Sequence, residues 1–555
     1  MASGARDLQG TPILRRQALS LITSGLAVTI LSACQATPPA GSAAPPAATP
    51  AGQTPIAVTT LAPTAAASTG ATAQPRTGGM LRFGTAADIA NLGFGSISFE
   101  ILQSLYDPVL AYDDKLQPVP SLAESWELSN DFKQIKLNLR KGVQFHTGRE
   151  LTSDDIAYNL ERTKDPARSY TTQSVGLARA WTSETPDKYT VILTSDRPRI
   201  GVFDLLTQLW IADKETLAGP DAASKAVGTG PFTFVEWVQG DHLSFARNKN
   251  YWQSGRPYLD GYQVAITKDP QAMMVRLEGG ALDFVNYPQT SDALRLNKDP
   301  KYQVLPAYNL GFIYAIWINV AAPPFEKKEV RQAMNYALDR QRFVDTTLGG
   351  LVGPPRDLPW PPRSPASEPG KNTMYTFDLN KASSLLKAAG VSDFTAELNY
   401  VTAGPIQEFT QLAQIYQADL AKIGVNLNIQ PMDNGTWSTT AQKAAYKGMA
   451  IGMPSGFGGQ DATSGLQTGA FGAANAFSNF KSDTYTQLVQ SAGSETGSDK
   501  RKQLYSEIND LILDESFTMP VSSFLAVSVA TARVHGVTRT PTGVGGPILT
   551  DAWLE

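Results

Sequence analysis

The sequence has little of what covalent catalysis and metal binding need. Its 555 residues include one cysteine, Cys34, so no disulfide can form within the chain. The three histidines, His146, His242 and His535, lie far apart, and none has Cys, Asp or Glu at the spacing of a metal site. The motifs G-x-S-x-G and H-E-x-x-H and the phosphate-binding P-loop are absent. We therefore expect no metal, no cofactor and no catalytic residue.

The sequence also lacks a large excess of either positive or negative charge. The chain has 47 Lys and Arg against 51 Asp and Glu, a net charge of −4, and no long basic block, so we expect no nucleic-acid partner. What the chain has in quantity is apolar: hydrophobic residues make up 42 %, and there are nine tryptophans. This apolar content is sufficient for hydrophobic cores, and the chain length predicts roughly two to four domains.

The amino end has the parts of an exported lipoprotein in order. Arg15 and Arg16 precede an apolar stretch, residues 17–33, that is too short and too rich in small residues for a membrane span. The segment LSAC, residues 31–34, closely resembles the lipobox of bacterial lipoproteins, in which the cysteine becomes the first residue and carries a diacylglyceryl group. We therefore expect residues 1–34 to be a signal peptide with its lipobox, and Cys34 to be the lipid anchor. The arginine pair also resembles a twin-arginine signal, so the export route, Sec or Tat, stays open.

A tether follows the anchor. Residues 35–77 are mostly Ala, Pro, Thr, Ser and Gly, so nothing there offsets the entropy of folding, and we expect disorder. No further stretch of about 18 apolar residues occurs. The expected protein is exported, and it is lipid-anchored to the outer face of the cytoplasmic membrane or lies in the periplasm or cell envelope.

Beyond the tether, strand and helix patterns alternate. IKLNLR, residues 135–140, alternates apolar and polar as a half-buried strand does. LTSDDIAYNLERT predicts a helix capped by Thr152 or Ser153, and DLNKASSLLKAAG predicts one capped by Asp378 and stopped by Gly390. AELNYV, IQEFTQLAQIYQADLAKIG and VNLNIQ then predict strand, helix and strand, with a right-handed crossover in a parallel or mixed sheet. These patterns predict an α/β protein of more than one lobe.

Five segments together resemble the family 5 extracellular solute-binding proteins, the peptide-binding type that serves ABC importers. They are LYDPVLAYDDKLQPVPSLAESWELSNDFKQIKLNLRKGVQFHTGRELTSDDIAYNLER, VGTGPFTFVEWVQGDHLSFARNKNYWQSGRPYLDGYQV, LEGGALDFVNYP, PPFEKKEVRQAMNYALDRQRFV and FDLNKASSLLKAAGV, in family order from about residue 78 onward. The resemblance implies a two-lobed, periplasmic-binding-protein-like α/β fold of type II with an additional third domain. The implied boundaries are 78–98, 206–306 and 522–555 for domain I, 99–205 for domain II, and 307–521 for domain III.

The function that the resemblance implies is transport. The expected protein is the substrate-binding component of an ABC importer, a monomer that binds a peptide or other small oligomeric solute between its lobes. It would deliver that solute to separate permease and ATPase subunits. An oligosaccharide or another neutral solute is the alternative ligand. Two other readings stay open: a secreted lipoprotein hydrolase, and a ligand sensor that feeds a membrane kinase.

The resemblance also selects candidate ligand-binding residues. Peptide-binding members have an acid, soon after a Gly-Trp pair, that pairs the α-ammonium of the peptide. The corresponding stretch, KGMAIGMPSGFGGQDATSG, lacks both at that place, and Asp461 lies a few residues late. Asp461 either does this work from a shifted loop or is a surface acid.

The remaining candidates come from position and residue type. Ser455 and Phe457 lie in a glycine-rich loop that is equally suited to a neutral ligand. Trp437 follows a strand and is either a stacking residue or a packing residue of domain III. Asn91, Phe94 and Ser96 follow the first strand, where family members usually begin the cleft.

Overall fold

The computed structural model describes residues 74–555 apart from 87, 95–98, 169–171, 309, 403–405, 468–470, 474–476 and 543–545. The chain separates into two units, Met1–Thr72 and Ala73–Glu555, and all of the described residues belong to the second. Cys34, the predicted signal and nearly all of the predicted tether lie outside the described residues, as does Ser96. Within the described ranges, no helix is both long and apolar enough to cross a bilayer, and no three Cys, His, Asp or Glu side chains cluster as metal ligands would.

The strands are short and are spread along the whole described chain. In order they are β1 (Met80–Thr85), β2 (Leu110–Tyr112), β3 (Pro118–Pro120), β4 (Ala123–Leu128), β5 (Gln134–Leu139), β6 (Thr182–Asp187), β7 (Thr190–Thr194), β8 (Phe232–Val238), β9 (His242–Arg247), β10 (Gly261–Ile266), β11 (Phe284–Asn286), β12 (Tyr302–Ala307), β13 (Ile313–Ile318), β14 (Phe394–Val401), β15 (Val425–Met432), β16 (Gly448–Gly452), β17 (Thr518–Ser523), β18 (Ala526–Thr531), β19 (Val534–His535) and β20 (Trp553–Leu554).

Helices alternate with these strands. They are α1 (Phe99–Leu105), α2 (Ser153–Thr163), α3 (Thr172–Arg179), α4 (Val202–Leu206), α5 (Lys214–Ala218), α6 (Pro270–Glu278), α7 (Thr290–Leu296), α8 (Lys328–Tyr336), α9 (Arg340–Arg342), α10 (Leu379–Ala388), α11 (Ile406–Leu420), α12 (Asn434–Thr439), α13 (Asp483–Ala492) and α14 (Ser498–Glu515). A π-helical turn spans Phe343–Thr347, and single 3₁₀ turns occur at Pro369–Lys371, Ala421–Ile423, Ala441–Lys443 and Ala462–Gln467.

The local predictions are confirmed where the sequence carries explicit start and stop signals. The backbone N–H of Thr152 donates to Asp155 at 3.0 Å and closes the start of α2. Asp378 accepts from the backbone N–H of Lys381 at 2.9 Å at the start of α10, and Gly390 just beyond its end has φ of +66°. The predicted strand, helix and strand are β14, α11 and β15, and the two strands pair in parallel.

Two large sheets define two lobes. Lobe one contains a 7-stranded sheet in the order β12-β18-β11-β1-β10-β9-β8, in which β1 runs parallel to both β10 and β11. Lobe one also carries a 4-stranded sheet, β4-β5-β7-β6, with α2 and α3 beside it. Lobe two contains a 5-stranded sheet, β15-β14-β16-β13-β17, in which β14 runs parallel to β15 and β16.

The lobes are joined by two neighbouring connections. Residues 308–312 lead from β12 in lobe one to β13 in lobe two, and Phe524 and Leu525 lead back from β17 to β18. The backbone N–H of Phe524 donates to the carbonyl of Phe312 at 3.0 Å, so the two connections lie side by side. A single buried apolar cluster includes side chains of both sheets, with Val285 and Val529 from lobe one and Ile316 and Met449 from lobe two. The lobes therefore share a core at the place where the chain crosses between them.

Candidate functional site

One segment that follows a parallel strand in each large sheet contacts the two connections. In lobe one, Tyr287 follows β11, and its ring contacts Phe524. In lobe two, residues 453–461 follow β16, and we call them the glycine-rich loop. The backbone N–H of Phe457 in this loop donates to the carbonyl of Gly311 at 3.2 Å. Ligands of open α/β sheets bind outside the carboxyl ends of parallel strands, so this junction is the first candidate site.

Aromatic side chains from both lobes pack together at the junction, although the ring of Tyr314 in lobe two is fully buried. We call Tyr287, Phe312, Tyr314 and Phe524 the aromatic floor. The ring centroid of Phe524 lies 6.3 Å from that of Tyr287, 6.4 Å from that of Phe312 and 5.5 Å from that of Tyr314. Tyr287 is 45 % exposed although it directly follows a buried strand. An exposed ring at this edge of a sheet offers a flat apolar face to a solute.

The backbone of Tyr287 is itself unusual. Its φ of +53° lies in the left-handed region, which costs a residue with a side chain roughly 1 to 2 kcal/mol. Such conformations persist where the surrounding structure holds them, and they concentrate at functional sites. In this protein the turn directs a tyrosine ring toward the connection between the lobes.

A cation lies over the same ring. The guanidinium carbon of Arg539 is 5.4 Å from the ring centroid of Tyr287. Arg539 donates from Nη2 to the side-chain oxygen of Asn286, the last residue of β11, and to Ser528 Oγ on β18 at 2.8 Å. The arginine is therefore fixed in place by two neighbouring strands of lobe one.

The glycine-rich loop packs closely against the connection that leads from β12 to β13. A Cβ on Gly311, whose φ is +80°, would lie 2.3 Å from the backbone nitrogen of Gly458, so only glycine fits there. The backbone N–H of Ile313 donates to the carbonyl of Pro454 at 3.2 Å. Ser455 in this loop is half-buried. Phe457 is fully buried, and its ring centroid lies 5.6 Å from that of Trp360.

A second contact between the lobes, which we call the seam, is polar. Asp204 in α4 accepts from Tyr112 Oη at 2.6 Å and from the backbone N–H groups of Gln460 and Asp461 at 2.9 and 2.8 Å. Gln460 Nε2 also donates to the carbonyl of Leu116 at 2.6 Å. Burial raises the pKa of Asp204 to about 6, and the hydrogen bond from Tyr112 opposes part of that rise.

Asp461 faces a cavity beside the seam. The cavity has a volume of about 270 Å³ and is lined by charged and polar groups that include Arg199, Asp461 and Gln467. Asp461 is buried, so the reading as a surface acid is wrong. Burial raises its pKa, and hydrogen bonds from the backbone N–H and the hydroxyl of Thr463, at 2.9 and 2.6 Å, oppose that rise. The cavity and the aromatic floor have no residue in common, so they are two different places in the structure.

The structure places the other predicted residues in three separate surroundings. Asn91 accepts from the backbone N–H of Gly93 at 2.8 Å, within its own turn. Phe94 is buried against Tyr106, with ring centroids 4.9 Å apart. Trp437 is buried in lobe two, and its ring centroid lies 5.8 Å from that of Trp317. The structure thus unites Ser455, Phe457 and Asp461 in one loop, and the binding roles of all the predicted residues stay predictions.

Sequence reasoning missed the aromatic floor and Arg539. Tyr287 lies in LDFVNYP, part of a segment on which the family resemblance rests. The amino-acid sequence of this segment does not reveal the left-handed backbone of Tyr287. Arg539 is about 250 residues further along the chain than Asn286, the side chain that fixes it. No local pattern brings those two residues together.

Comparison with known proteins identifies the family. The family model described as bacterial extracellular solute-binding proteins, family 5, middle region, matches residues 117–475. The chain belongs to this family. Its members are solute-binding proteins of transport systems and not enzymes, so the interpretation as a secreted hydrolase is wrong.

Relatives within family 5 have diverse named ligands. Heme-binding protein A of Haemophilus influenzae is 28 % identical over 455 residues, covering 76 % of this chain and 82 % of the relative. Di/tripeptide-binding protein 1 of Pseudomonas aeruginosa is 29 % identical over 464 residues, covering 77 % and 84 %. In both cases the match spans most of each chain.

A solved structure of a periplasmic binding protein supports the fold. The ABC transporter-associated periplasmic binding protein DppA of Helicobacter pylori, in complex with the peptide STSA, superimposes with a TM-score of 0.72 at 24 % identity. The alignment covers 86 % of this chain and 99 % of that one. The predicted two-lobed, periplasmic-binding-protein-like α/β fold is confirmed, whereas the three domain boundaries stay predictions.

Proposed function

We propose that this family 5 protein is the substrate-binding component of an ABC importer. It binds a peptide or another small oligomeric solute between its lobes and delivers it to a permease that the chain does not contain. The observation that carries this proposal is the aromatic floor. In it the exposed ring of Tyr287 from lobe one contacts Phe524 of the connection, and Phe524 in turn contacts Phe312 and the buried ring of Tyr314 in lobe two. A solute on the floor touches the part of the molecule about which the lobes move.

Binding and closure are coupled through these contacts. A solute that touches both lobes binds the closed arrangement more tightly than the open one and so increases its population. The hydrogen bonds of Asp204 at the seam belong to the closed arrangement, because they join α4 to the glycine-rich loop of the other lobe. Thr290 Oγ1 adds another contact between the lobes, donating to Glu408 at 2.8 Å.

The floor suits a solute with an apolar or ring-shaped part. Tyrosine and phenylalanine rings pack equally well against the side chains of a peptide and the faces of a sugar. Peptide is the solute we propose, and an oligosaccharide is the alternative. Asp461 is the acid we propose for a peptide ammonium, with the peptide extending along the glycine-rich loop from the floor to the cavity that Asp461 lines. The other candidates remain Asn91, Phe94, Ser455, Phe457 and Trp437.

The proposal includes the cellular arrangement. Cys34 carries the lipid, residues 35–77 form the tether, and the two lobes work as a monomer just outside the membrane. The partners are the permease and ATPase subunits of the importer.

The solute itself is the first test. The full chain with Cys34→Ser is purified under native conditions and denatured, and released small molecules are identified by mass spectrometry. A peptide supports the proposed ligand, a neutral oligosaccharide supports the alternative, and a chain that carries no solute and takes up none from peptide or sugar mixtures contradicts the proposal.

A variant of the floor tests the site. Tyr287→Gly removes the ring and also removes the strain of a left-handed tyrosine. We expect the affinity for the identified solute to fall about tenfold or more, while the free energy of unfolding changes by less than about 1 kcal/mol. Titration calorimetry and chemical denaturation measure the two quantities. Asp393→Gly is the matched control, since Asp393 has φ of +41° outside the floor, and an equal loss of affinity in both variants would contradict the assignment.

A further inference from the structure

Arg539 is a fixed cation without a counter-ion. Within the described part of the chain, no carboxylate lies within ion-pair distance of its guanidinium. Arg533, on the same carboxyl-terminal segment, differs in this respect, because its Nε lies 3.8 Å from Asp283. A half-buried charge without a partner is costly, so a purely structural role would be filled as well by a neutral amide.

Most of the hydrogen-bonding capacity of Arg539 is unused. A guanidinium has five N–H donors in a plane, and the two described acceptors, Asn286 Oδ1 and Ser528 Oγ, are both reached from Nη2. Among the described residues, Nε and Nη1 have no acceptor. These donors form the fork that matches the two oxygens of a carboxylate.

A second unpaired donor lies next to the guanidinium. Asn286 is 2 % exposed, and its Nδ2 has no acceptor in the described structure. Its orientation is fixed because its oxygen accepts from both Arg539 and Ser528. A buried donor without an acceptor costs free energy, and here it adds to the positive potential around the arginine.

These donors stand at the edge of the aromatic floor. The guanidinium lies over the ring of Tyr287, and that ring also contacts Phe524. A solute whose ring or apolar part packs on Tyr287 and Phe524 therefore brings its adjoining end to Arg539.

We infer that Arg539 is a specificity-determining residue that receives a carboxylate of the solute through its unused N–H donors. The solute is an organic acid whose carboxylate adjoins an apolar or ring-shaped part. This inference rests on the proposed function, because it requires that the solute occupies the aromatic floor.

The test compares each acid with its neutral derivative. The probes are the tripeptide Ala-Phe-Ala and its carboxyl-terminal amide, and trigalacturonic acid and its methyl ester. Affinities are measured by titration calorimetry for the full chain with Cys34→Ser, alone and combined with Arg539→Gln, Arg539→Lys or Arg533→Gln. The last is a matched control, because it removes a charge from the same segment away from the floor.

We expect the parent protein to bind at least one acid about tenfold or more tightly than its neutral derivative. Arg539→Gln should weaken binding of the acid by a similar factor and leave binding of the neutral derivative within about twofold. Arg539→Lys should keep part of the preference because it keeps the charge, and Arg533→Gln should keep all of it.

Two results would overturn the inference while the proposed function stands. One is tight binding of a solute with no preference for the acid. The other is an equal loss of acid and neutral binding in Arg539→Gln, which is the effect of a structural clamp. If neither the probes nor any co-purified solute binds the parent protein, the proposed function and this inference fail together.

Discussion

Asp204 shows how one side chain connects the two lobes. Its carboxylate is buried and accepts from Tyr112 in lobe one and from two backbone N–H groups of the glycine-rich loop in lobe two. Tyr112 and Asp461 both interact with Asp204, and burial raises the pKa of each of them. The hydrogen bonds from these neutral donors therefore offset only part of the cost of burying the charge of Asp204.

The pKa of Asp204 predicts how stability depends on pH. Because burial raises this pKa to about 6, the folded protein holds the proton more tightly than the unfolded chain does. The stabilisation by the neutral acid is therefore complete below about pH 4 and is lost as the pH rises through 6, for a total of up to about 3 kcal/mol. We expect the free energy of unfolding of the wild type, relative to that of Asp204→Asn, to decrease between pH 4 and 6 and to stay constant above pH 7.

Urea denaturation at a series of pH values measures this difference. Asp165→Asn is the control and should show no such decrease, because Asp165 is only half-buried, in a turn at the surface. A wild-type curve parallel to that of Asp204→Asn across this range would show that Asp204 does not titrate near 6.

At the scale of elements, the glycine-rich loop determines how closely the lobes approach. A Cβ on Gly459 would lie 2.4 Å from Asp204 Oδ1, well inside normal contact distance. We expect Gly459→Ala to displace the loop from α4, to lower the free energy of unfolding by about 1 to 3 kcal/mol, and to weaken solute binding. Chemical denaturation and titration calorimetry on the same samples measure both effects.

Gly370→Ala provides the matched comparison for this variant. Gly370 lies in the same lobe, and a Cβ there would meet nothing within 4 Å. It should change neither quantity. If Gly459→Ala binds solute as tightly as Gly370→Ala, closure does not depend on the contact between the loop and α4.

The elements also show what the sequence can predict. The alternation in β5, the caps of α2 and α10 and the β14-α11-β15 crossover are local signals, since each depends on residues within a few positions or a single helix. Phe457 and Trp437 were candidates because of their positions in the sequence and their residue type, and the structure buries both rings in lobe two. Whether an aromatic ring is buried or exposed depends on the packing of distant strands, which a single sequence does not specify.

The candidate site was harder to predict for the same reason. The floor combines the end of β11, the residues before and within β13, and the residue between β17 and β18. These pieces become neighbours only after the chain has crossed twice between the lobes. The family resemblance indicated that a cleft exists, but the identity of its rings and of its cation required the structure.

At the scale of the whole molecule, lobes and anchor are separable parts. Ala73–Glu555 form one unit whose core is shared between the lobes, and the proposed lipid is attached through a tether of 43 residues that spans at most about 130 Å in a polyproline conformation. We expect such a tether to confine the protein near its permease. Loss of the lipid should therefore change where the protein is and not what it binds.

Cys34→Ser tests this separation. We expect the variant to leave the membrane fraction for the soluble fraction, because serine offers no sulfur for the diacylglyceryl group, and we expect its solute affinity to equal that of the anchored protein. Fractionation with immunodetection measures the first quantity, and calorimetry measures the second. Ser32→Ala keeps a small residue in the lipobox and should remain in the membrane fraction. Continued membrane fractionation of Cys34→Ser would contradict the lipid anchor, and an altered affinity would show that the amino-terminal segment takes part in the site.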